Sequence, residues 1–259
     1  MSPTALITDA LRDFDGLPLA ALEARANLLA RVESKFIVSS AVMEAVLREA
    51  RGHFDVLEID GSREFGYDTR YFDDDGYGSY FAHHQDRRRR FKVRVRTYLH
   101  SRTTFAEIKL KWRRGLTVKR RFPIDFGMDA HLDSATLSLI SQAHEDYYGE
   151  PLERSLRAAV DVRYRRVTLV SREEACRLTF DTCLTFAARD RQWACPETRC
   201  VVEVKSARHA SRSRAMFRAL GQRPVRRLSK YCVGLAATGV VPAGCRVRTA
   251  TRLLALAPC

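Results

Sequence analysis

The sequence holds no run of the ~18 apolar residues that a membrane-crossing helix needs. Its N-terminus carries acids early and has no long apolar stretch, which excludes a secretory signal. The C-terminal "LLALAPC" is too short to span a bilayer. No GxxxxGK[ST] phosphate loop is present. Nothing in the pattern suggests a Ser/His/Asp or Cys/His nucleophile. The seven cysteines are odd in number, scattered and without a CxxC pair. That argues against a disulfide framework and fits a reducing cytoplasm. Cys195, Cys200 and His209 lack a fourth ligand and any standard zinc spacing. There is no internal repeat, no low-complexity linker and no clear domain boundary. Acids are also short: 31 Asp and Glu face 45 Lys and Arg, for a net charge of +14 over 259 residues. Such a balance favours anionic partners, namely phosphates, nucleic acid or a membrane surface.

What is present is alternation. Side chains of a strand point to opposite faces in turn. In "RRFKVRVRTY" (89–98), Phe91, Val93 and Val95 share one face, while Arg90, Lys92, Arg94 and Arg96 share the other. The same reading places Glu107, Lys109 and Lys111 together, and likewise Lys119 with Arg121. It pairs Tyr164 with Arg166, Arg177 with Thr179 and Asp181, Glu203 with Lys205, and Arg31 with Glu33 and Lys35. Seven strands thus carry a charged face containing Lys or Arg, usually opposite an apolar one. One such strand is an ordinary surface strand. Seven fit an open sheet with a wet basic face, and fit better a closed barrel whose polar faces converge on a lumen and whose apolar faces pack outward against helices. A lumen so lined repels itself when empty and becomes favourable around a chain of phosphates. Its carboxylates can hold Mg²⁺ or Mn²⁺ that bridges to phosphate oxygens.

The remaining punctuation predicts helices over about 4–30, broken at Gly16-Leu17-Pro18, and over 41–51, 79–84, 129–148, 211–220 and 229–238. Strands are predicted at 31–38, 62–73, 90–99, 103–112, 116–124, 160–170, 176–181 and 200–206. "DRQWACPETRC" (190–200) reads as a surface loop, Asp73 to Asp75 as a turn, and the His83-His84 pair as incidental. The aromatics fall mostly on the apolar faces, which argues against a nucleic-acid partner.

The ordered segments "RVESKF", "YDTRYFD", "KVRVRTY", "EIKLK", "VKRRF", "VRYRRV", "RLTFD", "VVEVK" and "LSKY" resemble the VTC-domain polyphosphate polymerases of the triphosphate tunnel metalloenzyme superfamily. The resemblance covers about 28–238, within a single VTC-like domain over 1–259. It implies an α+β fold, an antiparallel eight-stranded β-barrel tunnel with helices packed outside. It implies transfer of the ATP γ-phosphoryl to a growing inorganic polyphosphate chain. Hydrolysis of triphosphate in the same tunnel, or non-catalytic binding of polyphosphate or nucleic acid, are the alternatives. Carried over residue by residue, the phosphate ligands are Lys35, Arg94, Arg96, Lys109, Lys119, Arg166, Arg177 and Lys230, with Tyr164 contacting phosphate through its hydroxyl. Glu203 is the implied principal ligand of Mn²⁺ or Mg²⁺. Glu107 and Glu33 are secondary ligands or charge balance. Lys205, Lys111 and Arg121 share faces with these residues and are further substrate-binding candidates. Arg31 stands where the wider superfamily has the first acid of its ExExK signature, which removes one metal ligand. The expectation is a stand-alone bacterial catalytic module in the cytoplasm, with any membrane subunit separate.

Overall fold

The computed structural model describes residues 3–25, 32–112, 117–125, 132–207 and 211–259. Arg31 and His209 lie outside the described residues. The chain begins α1 (Pro3–Leu11), β1 (Gly16–Leu17), α2 (Leu19–Arg25), β2 (Val32–Ser39), α3 (Ser40–Ala50), β3 (Phe54–Leu57) and β4 (Glu64–Asp73). It continues α4 (Gly78–His84), β5 (Arg90–Tyr98), β6 (Thr103–Lys111), β7 (Thr117–Ile124), α5 (Ser134–Tyr148), β8 (Arg157–Ser171) and β9 (Cys176–Ala188). It ends β10 (Arg191–Ala194), β11 (Arg199–Ser206), α6 (Arg212–Ala219), α7 (Lys230–Ala237), α8 (Cys245–Leu254) and β12 (Ala257–Pro258).

All twelve strands belong to one sheet, not the expected eight. Eight of them form a continuous antiparallel path, β2-β11-β9-β8-β4-β5-β6-β7. The expected closure into a barrel does not occur. Among the described residues β2 and β7 share no ladder. The free edge of β2 is used differently: Lys35 O accepts from Val225 N at 2.7 Å. The connection between α6 and α7 thus lies where a closing strand would pair. The four additional strands extend the path at its margins, where β3 joins β8 and β10 joins β9. One of them corrects the sequence reading: the stretch read as a surface loop contains β10, and Cys195 and Cys200 beside it are buried. Helix α8 was not expected at all.

The convex face behaves as the alternation predicts. Phe36, Val38, Leu178, Phe180, Val202 and Val204 pack beneath α1, α3 and α6. Phe91, Val93, Val95, Ile108 and Leu110 pack beneath α5. Helix starts follow side-chain caps: Ser39 Oγ accepts from Val42 N, and Asp133 Oδ1 from Thr136 N.

The concave face departs from the prediction, because it is charged only in its middle. One end is apolar: Val160, Val162, Leu184 and Phe186 pack under α7 and α8. A bulge in β9 makes this possible. Opposite β8 the register slips between Arg163 and Arg165, and Cys183 takes φ 50°. Asp181 and Phe186 then point to the same face although five residues separate them. Gly234 allows α7 to seat this closely, since a Cβ there would stand 2.8 Å from the Phe186 ring. The other end is covered by Leu17, Leu22, Leu57, Phe65 and Val170.

Asp73 is no simple turn residue. It is 1% exposed, and its carboxylate accepts from Asp74 N, Ser79 N and Tyr80 N and from the Tyr231 hydroxyl. It caps α4 and ties it to α7. Removing it leaves several buried donors orphaned, each costing about 1–3 kcal/mol. Asp73→Ala should therefore lose about 3 kcal/mol or more in a urea melt. A loss under about 1 kcal/mol would show that the tie is not structural.

Candidate functional site

The charged middle of the concave face gathers most of the residues singled out from sequence. Adjacent strands place them opposite one another: Glu203 against Lys35, Lys205 against Glu33 and Arg177, Arg166 against Asp181, Arg94 against Glu107, Lys109 against Lys119. Each strand supplies alternate residues, so the facing groups follow directly from period-2 geometry and register.

Three clusters result. In the first, Glu33 Oε1 and Lys35 Nζ are 2.8 Å apart, as are Glu203 Oε1 and Lys205 Nζ. Burial alone would lower the Lys35 ammonium, but Glu203 and Glu33 hold it above the usual lysine range. Burial pushes Lys205 down to about 8, against the pull of Glu203. Despite burial, Lys205 and Lys35 hold the Glu203 carboxyl well below its ordinary value.

In the second, Glu107 is 1% exposed and accepts from Arg94 Nε at 2.6 Å and from Lys119 Nζ. Burial opposes its ionisation, yet Arg94, Arg96 and Lys119 bring it down to about 2. Arg94 also donates to the Tyr71 hydroxyl at 3.2 Å. Burial would raise that phenol, but Arg94 and Arg96 bring it down to about 8. Desolvation by the groups around them lowers Lys109 and Lys119 to about 8, although both side chains keep contact with solvent.

The third joins the other two. Arg166 makes a bidentate pair with Asp181, at 2.6 and 2.8 Å, and Lys230 Nζ adds 2.5 Å to the same carboxylate. Asp181 is fully buried. Burial would raise its pKa, but these two cations bring it to about 2. The Arg166 guanidinium lies 5.2 Å and Lys230 Nζ 4.8 Å from the centre of the Tyr164 ring. Arg96 donates to Thr69 Oγ1 at 3.2 Å and lies 5.5 Å from the Tyr67 ring.

Two buried hydroxyls in this setting have no partner among the described residues: Tyr164 Oη and Thr179 Oγ1. Each is 3% exposed and stands beside cations. An orphaned buried hydroxyl costs about 1–3 kcal/mol unless a ligand satisfies it. An anion rich in acceptor oxygens fits both.

Not every expected residue joins. Lys111 lies at the rim beside Arg90 and Arg227 and not within the three clusters. Arg121 stacks over Phe105 at 5.3 Å. The three carboxylates do not converge either. Among the described residues no three His, Cys, Asp or Glu side chains form a metal-binding group, and Glu107 is engaged by Arg94 and Lys119. Glu33 and Glu203 remain as diagonal neighbours across the β2–β11 ladder. That pair fits a divalent cation shared with phosphate oxygens, since Mg²⁺ in phosphate sites takes only one or two carboxylates from the protein.

Several site residues were missed. Asp181 and Thr179 were assigned to the charged face but given no role. Lys92, which donates to Ser229 Oγ at 2.9 Å, stood in the opening row of cations. Tyr67, Thr69 and Tyr71 share the parity of one strand and were open to the same reading. Their placement adds two rings to Tyr164 on the charged face, more than the expectation that the aromatics fall mostly on the apolar faces allows for. Burial and Lys92 push His83 down to about 2. Burial raises the Cys195 thiol to about 12 and the Cys200 thiol well above its ordinary value.

Comparison with known proteins agrees with this architecture. The VTC domain profile matches residues 30–238. No curated protein matches the sequence. Among solved structures, one similar fold is a protein from Hippeastrum provisionally assigned as an adenylyl cyclase, which reveals a dominant triphosphatase activity. It is 14% identical, with a TM-score of 0.50, over 82% of this chain and 98% of that one. A provisionally assigned adenylate cyclase from Bacillus halodurans is 12% identical with a TM-score of 0.44, over 85% and 96%. The PH1819 protein from Pyrococcus horikoshii OT3 is 13% identical with a TM-score of 0.45, over 81% and 98%. No described helix is long and apolar enough to cross a membrane.

Proposed function

Since this chain belongs to the VTC domain family, we propose that it is a metal-dependent polyphosphate polymerase, formed by one VTC-like domain over 1–259. It transfers the γ-phosphoryl of ATP to phosphate or to the end of a growing polyphosphate chain. The observation that carries this reading is the pair of orphaned hydroxyls, Tyr164 Oη and Thr179 Oγ1, buried among cations. Arg94, Arg96, Arg166 and Lys230 grip the triphosphate from both sides of Tyr164, and the Tyr164 hydroxyl donates to a phosphate oxygen. Lys35, Lys205 and Arg177 hold the acceptor end. Lys109 and Lys119 at the lip neutralise the phosphates that enter. A divalent cation, Mn²⁺ or Mg²⁺, held by Glu203 and Glu33 would neutralise charge on the transferring group. Phosphoryl transfer of this kind needs positioning and charge stabilisation more than a covalent nucleophile. The site agrees, being rich in Lys and Arg and holding its carboxylates in ion pairs.

The triphosphatase activity of the Hippeastrum protein favours hydrolysis as the second reading. It needs the same groups and water as acceptor. Purified protein incubated with ATP and Mn²⁺, then Mg²⁺, and resolved on a gel that separates polyphosphate chains, distinguishes them. A metal-dependent ladder, lost in Glu203→Ala and Arg94→Ala, is expected. Orthophosphate as the sole product would move the assignment to a hydrolase. Tight polyphosphate binding without turnover would leave a binding module.

A further inference from the structure

Away from α7, the charged face runs into a row of aromatic rings. Phe105, Tyr98, Tyr67 and Tyr164 come from the adjacent strands β6, β5, β4 and β8. Tyr98 and Phe105 have ring centres 5.9 Å apart, edge to face. Tyr98 and Tyr67 are 5.1 Å apart, and Tyr67 stacks on Tyr164 at 5.1 Å and 4°. The two inner rings are occupied: Tyr67 packs against the cluster of Leu17, Leu22 and Leu57, and Tyr164 is buried. The two outer rings stay partly open. They adjoin the phosphate-binding cations, since Arg96 lies opposite Phe105 in the β5–β6 ladder and the Arg121 guanidinium lies over the Phe105 ring.

Inorganic phosphate chains are hydrated and gain nothing from apolar rings. A nucleobase does, because every base has a π-face that stacks on an aromatic side chain. We infer that Tyr98 and Phe105 form a stacking subsite for the base of a nucleoside triphosphate whose phosphates lie among Arg94, Arg96 and Arg166. The inference rests on the triphosphate reading proposed above and adds an orientation to it.

Spacing supports that orientation. At about 3.4 Å per residue, Tyr98 stands about 7 Å beyond Arg96 along β5, a reach comparable to the ribose between phosphate and base. The opposite end offers no such room. There Lys92 binds Ser229 Oγ, Lys35 donates to Leu228 O at 3.3 Å, and His83 lies 3.4 Å from Arg227 O. The segment leading into α7 crosses that end of the face. The base therefore faces the aromatic end, and stacking there tolerates different bases.

Calorimetric titration in EDTA, where nothing turns over, tests this with ATP and inorganic tripolyphosphate as the two ligands. Phe105→Leu and Tyr98→Leu should each weaken ATP about tenfold, the order expected for lost base stacking. Tripolyphosphate should stay within about twofold of wild type in both variants, which also reports that they fold. Equal losses for both ligands, or no loss for ATP, would overturn the subsite while leaving the triphosphate reading intact. A wild-type protein that binds neither ligand, in EDTA or with Mn²⁺ added, would sink that reading and the subsite with it.

Discussion

Arg166→Ala is expected to abolish turnover and to destabilise the protein, and the two effects should separate in a double variant. Arg166 is 14% exposed at its side chain and supplies two of the three hydrogen bonds to the fully buried Asp181 carboxylate. Its removal leaves that carboxylate held by Lys230 among the described residues. Breaking one side of a buried pair costs about 3–5 kcal/mol, chiefly because the surviving charge stays buried. Arg166→Ala/Asp181→Asn removes the half-satisfied carboxylate charge while leaving Lys230 an oxygen acceptor, and should recover part of that stability. It should not recover activity, because Arg166 also stands 5.2 Å from the Tyr164 ring, beside the orphaned hydroxyl. Turnover should remain at least about a hundredfold below wild type, the order seen when one preorganised charge is removed from a transition-state site. Thermal melts and turnover on the same three proteins decide it. A double variant that regains activity together with stability would make Arg166 a purely structural residue.

The second large effect is one of pH, and it runs in opposite directions for the empty and the filled protein. Burial brings Lys205 from 10.5 down to about 8. A base whose folded value is depressed destabilises the fold while charged. The penalty is complete below about 8 and disappears as pH rises toward 10.5. For Lys205, only 13% exposed, that amounts to about 3 kcal/mol. Tyr71, held near 8 by Arg94 and Arg96 against the effect of burial, adds stability over the same window. The melting temperature of the ligand-free protein should therefore rise between about pH 7.5 and 9.5. Binding a polyanion requires these lysines protonated, so affinity should fall over the same interval. A single fully linked lysine gives a loss of about tenfold. Lys109 and Lys119, more open to solvent, contribute less. The shift in melting temperature produced by tripolyphosphate should shrink as pH rises, and Lys205→Arg should flatten the profile. A ligand-induced shift that is constant across the range would show that the lysines are already charged in the empty site.

These expectations rest on residues whose alternation was visible in the sequence. Phe91, Val93 and Val95 against Lys92, Arg94 and Arg96 needed only the period of a strand, and the structure places them on opposite faces of the sheet as read. The family resemblance implied an antiparallel sheet with helices packed outside. What alternation cannot supply is which edges meet. Closure of β2 onto β7 is a long-range pairing, and the segment carrying Val225 holds the β2 edge instead. The role of Asp73 was hidden for the same reason: its partners Ser79, Tyr80 and Tyr231 come from two helices, one of them distant in sequence. Tyr67 and Tyr71 were within reach of parity, but rings on a strand suggest core before they suggest a wet face. Helix α8 lies beyond the matched family region, although Val247, Ala250 and Leu254 at i, i+3 and i+7 mark its buried face.

The bulge at Cys183 sets the boundary between chemistry and scaffold by counting residues along the backbone. On one side of it, every second residue of β9 is available to evolve new contacts with an anion. On the other, every second residue is committed to holding α7. Point substitutions can explore either half without disturbing the other. Cys183 itself is replaceable, its left-handed backbone being one that glycine adopts readily. Deletion of Cys183 is tolerated by parity as well, since it leaves Asp181 and Phe186 four positions apart, where ordinary alternation puts both on one face. A one-residue deletion elsewhere in the strand is different, since it exchanges the faces on one side of it and turns either the anion-facing groups or Phe186 away. Variation is therefore expected to run through side-chain identity, with changes in the length of β9 confined to the bulge.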